Sequence, residues 1–167
     1  YVANHGGTFR AVMSKADTFA PDLAALEEAI SPKTRVVLIN SPNNPTGVIY
    51  SRKDLKALTE LLENKSQEYG KPIWLVADEP YRFLAYDGAE VPSVLPLYPY
   101  AVVISSFSKN LSLPGERVGF AAVSPLLHEK AELMAALTLT NRILGFVNPP
   151  VVGQHIMAAA LGSQVDL

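Results

Sequence analysis

The sequence predicts an α/β fold, a mostly parallel sheet flanked by helices, on the strength of three observations. Short β-branched runs alternate with amphipathic stretches along the chain. The run Val36-Val37-Leu38-Ile39, the helical stretch after it and the run Ile73-Trp74-Leu75-Val76-Ala77 have the lengths of a βαβ unit. No repeat of roughly 20 to 50 residues is present, which removes solenoids and propellers.

Taken in order, Phe9-Arg10-Ala11-Val12-Met13 reads as a short strand. Pro21-Asp22-Leu23 opens a helix in which Leu23, Leu26 and Ile30 share a face. Val36 to Ile39, apolar throughout, predicts a fully buried strand. Ser51 has the character of an N-cap, and Asp54 three residues later approximates a capping box. Leu55, Leu58, Leu61 and Leu62 then form an apolar stripe, and Gly70 and Pro72 end the helix. Ile73 to Ala77 and Ala101 to Ile104 predict central strands, and Arg117 to Val123 a further strand. Ser124 and Pro125 predict the cap and first turn of a helix carrying Leu126, Leu127, Met134 and Leu137. The long connection from Tyr81 to Tyr100, with Pro92, Pro96 and Pro99, is expected to serve function.

Composition narrows the function classes. With 167 residues, 49% hydrophobic and 18% charged, the chain is an ordinary globular one able to bury a core. A net charge of -2 without a basic stripe argues against nucleic acid. There is no cysteine, which excludes disulfides and thiolate metal sites and fits a reducing cytoplasm. No apolar run approaches the roughly 20 residues a membrane helix needs. Tyr1 to Gly7 lacks the layout of a secretion signal, and a start at Tyr rather than Met suggests a piece of a longer polypeptide.

Ligands of open parallel sheets bind beyond the carboxyl ends of the strands. Three predicted strands end in polar segments: Asn40-Ser41-Pro42-Asn43-Asn44-Pro45-Thr46-Gly47, Asp78-Glu79-Pro80-Tyr81, and Ser105-Ser106-Phe107-Ser108-Lys109 followed by Pro114-Gly115-Glu116-Arg117. Together they offer an amide, a carboxylate, a phenol, hydroxyls, an amine and a guanidinium at one sheet edge. Pyridoxal phosphate needs such a set: a lysine for its imine, an acid for its ring nitrogen, donors for its phenolate oxygen, and hydroxyl and arginine contacts for its phosphate.

These segments, in this order, resemble those of class I/II aminotransferases, the aspartate aminotransferase superfamily of fold type I. The similarity runs from about Thr8 to Pro150. The resemblance implies that Lys109 forms the imine with pyridoxal 5'-phosphate and moves the substrate's α-proton. It implies that Asp78 pairs with the ring nitrogen, that Asn44 and Tyr81 bond the phenolate oxygen, and that Ser106, Ser108 and Arg117 hold the phosphate. It further implies amino acid and 2-oxo acid substrates and a homodimer. Residues 1–167 would then be part of the large, cofactor-binding domain, with the N-terminal segment and the small C-terminal domain outside the sequence.

Plainer readings stand beside these. Lys109 alone would be a solvated surface lysine, Asp78 a turn cap before Pro80, and Asn44 a turn former in Asn-Pro. Arg117 could pair with Glu116, and Ser106 and Ser108 could be loop hydroxyls. Ser106-x-x-Lys109 has the spacing of penicillin-binding enzymes, but the Ser-Asp-Asn and Lys-Thr-Gly elements they need do not occur. His128-Glu129 lacks the second histidine of a zinc-protease helix, Glu132 standing in its place, and no metal is expected. Gly6-Gly7 is no dinucleotide fingerprint. A lyase of the same fold, and a fragment without activity of its own, remain open beside the aminotransferase.

Overall fold

The computed structural model of the chain describes residues 2–162. Tyr1 of the stretch read for a secretion signal, and residues 163–167 of the expected domain span, lie outside the described residues. Helix α1 (Leu23–Ala29) precedes strand β1 (Val36–Asn40), helix α2 (Arg52–Tyr69) and strand β2 (Trp74–Asp78). Strand β3 (Ala101–Ser106) runs directly into the single-turn helix α3 (Phe107–Asn110), followed by β4 (Gly119–Val123), α4 (Lys130–Ile143) and α5 (Val151–Ala160). The sheet order is β1-β2-β3-β4. The first three strands are parallel and β4 is antiparallel to β3.

Local sequence signals fix the ends of α2. Ser51 Oγ accepts from the Asp54 N–H at 3.1 Å, while the Asp54 carboxylate accepts from the Ser51 N–H at 3.0 Å. This reciprocal box satisfies two amide groups that the first helical turn leaves unpaired. At the other end Gly70 turns left-handed, with φ 64°, where an L side chain would be strained. The stripe Leu55, Leu58 and Leu62 is buried against Leu75, Ala77, Ala101 and Val103. Asp22 caps α1, its Oδ1 accepting from the Ala25 N–H at 3.1 Å.

The long connection after β2 divides into two parts. Its proline-rich end belongs to the core: Tyr98 is 1% exposed, and its hydroxyl donates to the Ile73 carbonyl at 2.8 Å. Ser66 Oγ joins that knot, 3.1 Å from the Tyr98 hydroxyl and accepting from the Ile73 N–H at 2.9 Å. At its other end the Tyr81 hydroxyl accepts from Asn44 Nδ2 at 3.0 Å, beyond the carboxyl ends of β1 and β2.

Four expectations need correction. Phe9 to Met13 forms no strand; Phe9 and Met13 are exposed, and among the described residues no strand pairs with this stretch. Strand β1 is buried on one face only: it is an edge strand, and Val36 and Leu38 are 51% and 61% exposed. The strand expected from Arg117 starts at Gly119, because Arg117 itself is left-handed after a 3-10 turn at Pro114–Glu116. Ser124 does not cap α4. It is fully buried, its Oγ donates to the Leu95 carbonyl at 2.7 Å, and the helix begins at Lys130.

Candidate active site

Strand alternation and register decide which side chains share a face. Asn40 lies opposite Asp78, Asp78 opposite Ile104, and Ser106 opposite Gly119. Asn40, Asp78 and Ser106 therefore stand on one face at one end of the sheet. Ala77 and Val103 point to the other face, into the core. The neighbouring acids Asp78 and Glu79 part in the same way. Glu79 is buried against Arg82, Nη1 to Oε2 2.9 Å, and Arg82 also donates to the carbonyls of Val91 and Pro92. That ion pair braces the loop and leaves Asp78 as the carboxylate on the face shared with Asn40 and Ser106.

The Asp78 carboxyl is partly buried at the end of β2. Burial pushes its pKa above the ordinary value, and a hydrogen bond from Asn40 Nδ2, 3.3 Å from Oδ2, partly offsets this. The Asn40 Oδ1 accepts from the Asn44 N–H at 3.0 Å. Asn44 Nδ2 in turn donates to the Tyr81 hydroxyl at 3.0 Å. Lys109 Nζ lies over the Tyr81 ring, 5.9 Å from its centroid, within range of a cation–π contact. An unbroken series of contacts thus joins the carboxylate, two amides, a phenol and the amine.

The other expected residues stand nearby without joining that series. Ser106 is the last residue of β3 and Ser108 lies within α3; among the described residues neither hydroxyl has a hydrogen-bond partner. Phe107 N–H donates to the Val118 carbonyl at 3.1 Å, which brings the backbone beside Arg117 to the start of α3. The Arg117 guanidinium itself donates to the Pro114 carbonyl at 2.8 Å. Gly119 permits this approach of β4 to β3, since a Cβ there would meet the Ser105 carbonyl oxygen at 2.7 Å.

Asn40 is the participant that sequence reasoning passed over. It appeared as part of the first polar segment but carried no role. Its signal was available: it ends one strand as Asp78 ends the next, and parallel register sets them side by side. A cavity of about 450 Å3, lined in part by Glu79, Arg82, Ser105 and Phe120, opens on the opposite face and includes none of Asp78, Tyr81 or Lys109.

The raised pKa of Asp78 has a consequence for stability. A carboxyl that holds its proton more tightly folded than unfolded disfavours the fold once it ionises. The penalty is absent below the ordinary value of 3.8 and grows as pH rises through the folded value. Asp78→Asn is therefore expected to stabilise the cofactor-free full-length protein at neutral pH, with the gain vanishing at acid pH. Denaturant midpoints across a pH series measure it; a gain that grows on acidification would have the wrong sign.

Comparison with known proteins agrees with this architecture. The family model described as aminotransferase class I and II matches residues 1–166, and the chain belongs to that family. It is 42% identical over 101 residues to an aspartate aminotransferase of Geobacillus stearothermophilus, covering 58% of this chain and 24% of that protein. It is 32% identical over 149 residues to a probable aspartate aminotransferase of Methanocaldococcus jannaschii, covering 89% of this chain and 38% of that one. A solved amino transferase from Eubacterium rectale superposes with a TM-score of 0.94 at 45% identity, covering 99% of this chain and 42% of that one. An aspartate aminotransferase from Thermus thermophilus, solved with maleate, gives a TM-score of 0.74 at 30% identity, covering 94% and 38%. The chain thus spans less than half the length of each of these four proteins.

Proposed function

We propose that the full-length protein is a pyridoxal-phosphate-dependent aminotransferase moving an amino group between an amino acid and a 2-oxo acid. Residues 1–167 form part of its large, cofactor-binding domain in this reading. Family membership supports it. The observation that carries it is the continuous series Asp78, Asn40, Asn44, Tyr81 and Lys109 at the carboxyl end of the parallel strands.

The donor set fits the cofactor. A partly buried carboxylate matches a protonated ring nitrogen, since a cation beside it would relieve the cost of its ionisation. The Asn44 amide and the Tyr81 phenol, already 3.0 Å apart, can both donate to one phenolate oxygen. Ser106, Ser108 and Arg117 supply hydroxyls and a guanidinium for a phosphate. When bound, pyridoxal phosphate supplies an aldehyde that captures amines and a ring that withdraws electrons from the substrate's α-carbon.

The chain's own groups then have distinct tasks. Lys109 Nζ anchors the cofactor between turnovers and, once released by substrate, takes and returns the α-proton. Asp78 keeps a positive charge at the ring nitrogen, where electron demand is greatest in the transition state. Tyr81 and Asn44 orient the ring from its opposite side. The reading extends to a homodimer, supported by the exposed apolar residues Ile143, Phe146, Val151 and Val152 on and between the last two helices. It extends also to the cytoplasm, where a chain without cysteine fits the reducing conditions.

The test combines labelling with turnover. The full-length protein is loaded with pyridoxal phosphate, reduced with borohydride and digested. The labelled peptide is expected to contain Lys109; a label on Lys53 or Lys130 removes the assignment. Incubation with aspartate or aromatic amino acids and 2-oxoglutarate is expected to yield glutamate. Pyruvate and ammonia from an amino acid bearing a leaving group would point to a lyase instead.

A further inference from the structure

Asn40 makes more polar contacts than any of the residues assigned above. Its Nδ2 donates to the Asp78 carbonyl at 2.9 Å and lies 3.3 Å from Asp78 Oδ2. Its Oδ1 accepts from the Asn44 N–H at 3.0 Å and from Asn43 Nδ2 at 3.2 Å. The chemistry of the partners fixes the orientation of this amide. An ionised carboxylate and a carbonyl can only accept, so the amino group must face Asp78. A backbone N–H can only donate, so the amide oxygen must face Asn44. Among side chains of this length, only an amide offers a donor on one branch and an acceptor on the other without titrating.

We propose that Asn40 is a positioning residue that holds the Asp78 carboxylate and the Asn44–Tyr81 pair in one fixed relation, so that both ends of a bound pyridine ring are presented by a single amide. The proposal rests on the reading of Asp78 as partner of the ring nitrogen. Register supplies the near half of the arrangement, since Asn40 and Asp78 are directly opposed on adjacent parallel strands. The hydrogen bond to the Asn44 backbone supplies the far half, carrying the effect across the turn to Tyr81. Asn40 also lowers the cost of ionising Asp78, against the burial that raises it. The charged group set against that carboxylate is the neighbouring Glu79, itself paired with Arg82.

Asn40→Asp separates the two branches of the amide. It keeps an acceptor for Asn44 but replaces the fixed N–H donor with a titrating carboxyl set against Asp78. The ligand probes are pyridoxal phosphate and its deaza analogue, in which carbon replaces the ring nitrogen. Both are titrated into the cofactor-free full-length protein, followed by absorbance, with circular dichroism to check folding. Asn40→Asp is expected to weaken pyridoxal phosphate binding roughly ten- to a hundred-fold, the worth of a charge-assisted hydrogen bond. Its effect on the deaza analogue is expected to stay within about two-fold, the usual error of additivity. Asn40→Ala, the fallback if the aspartate variant does not fold, loses both branches and is expected to keep part of its penalty with the analogue. Equal weakening of both ligands by Asn40→Asp, or an analogue penalty for Asn40→Ala as large as that for the natural cofactor, overturns the proposal in favour of a merely structural amide. A distinct result marks failure of the underlying reading: Asp78→Asn then binds both ligands as the unaltered protein does, and the proposal falls with it.

Discussion

Replacing Lys109 with Ala in the full-length protein is expected to lower the rate of amino-group transfer by roughly 10³- to 10⁴-fold, the scale of losing a positioned acid–base group. The substitution also removes the only covalent anchor proposed for the cofactor, so borohydride should fix no label. Lys109→Arg is the sharper variant. A guanidinium keeps the positive charge over the Tyr81 ring but neither forms an imine nor gives up its proton at working pH. A purely electrostatic lysine would therefore be rescued by arginine, and a nucleophilic one would not. Initial rates of glutamate formation distinguish the two, and an arginine variant within about ten-fold of the original rate defeats the assignment.

Asp78→Asn carries the second large effect. The amide fills the same space beside Asn40 but cannot balance a protonated ring nitrogen. Turnover is expected to fall about 10²- to 10³-fold, as when one preorganised electrostatic contact is lost at a developing charge. Asp78→Glu keeps the charge one methylene further out and should recover part of that loss. Steady-state kinetics at saturating cofactor measure both, and an asparagine variant that retains full turnover removes Asp78 from the chemistry. The same variant is expected to be more stable without cofactor at neutral pH. On these two expectations one carboxylate lowers stability and raises activity, a trade-off common at half-buried functional positions.

How much of this was legible beforehand depended on whether the signal was local. The box of Ser51 and Asp54 and the left-handed Gly70 are decided within a few residues, and the ends of α2 stand where those residues predict. The parallel strands were legible because apolar runs of the right length alternate with a helix long enough to cross over. Phe9 to Met13 has much the same composition as a short strand, yet pairing depends on neighbours that a local pattern does not contain. Ser124 failed as a cap for a related reason. Its Oγ accepts from the Leu126 N–H at 3.2 Å as a capping serine would, but it also ties that turn to the distant carbonyl of Leu95, and the helix does not begin until Lys130. At the site, the meeting of three polar strand ends followed from topology. The link between them did not: Asn40 has no motif of its own, and its importance appears only when register sets it opposite Asp78.

The absence of any spacer between β3 and α3 ties the direction of the Lys109 side chain to helical phase. Each residue inserted or deleted between Ser106 and Lys109 would swing the amine by about 100° and shift it by about 1.5 Å along the axis. That interval is therefore a ruler, and at its present setting the amine meets the Tyr81 ring. A substitution at Phe107 changes one side chain, whereas a change in the number of residues re-aims the amine itself.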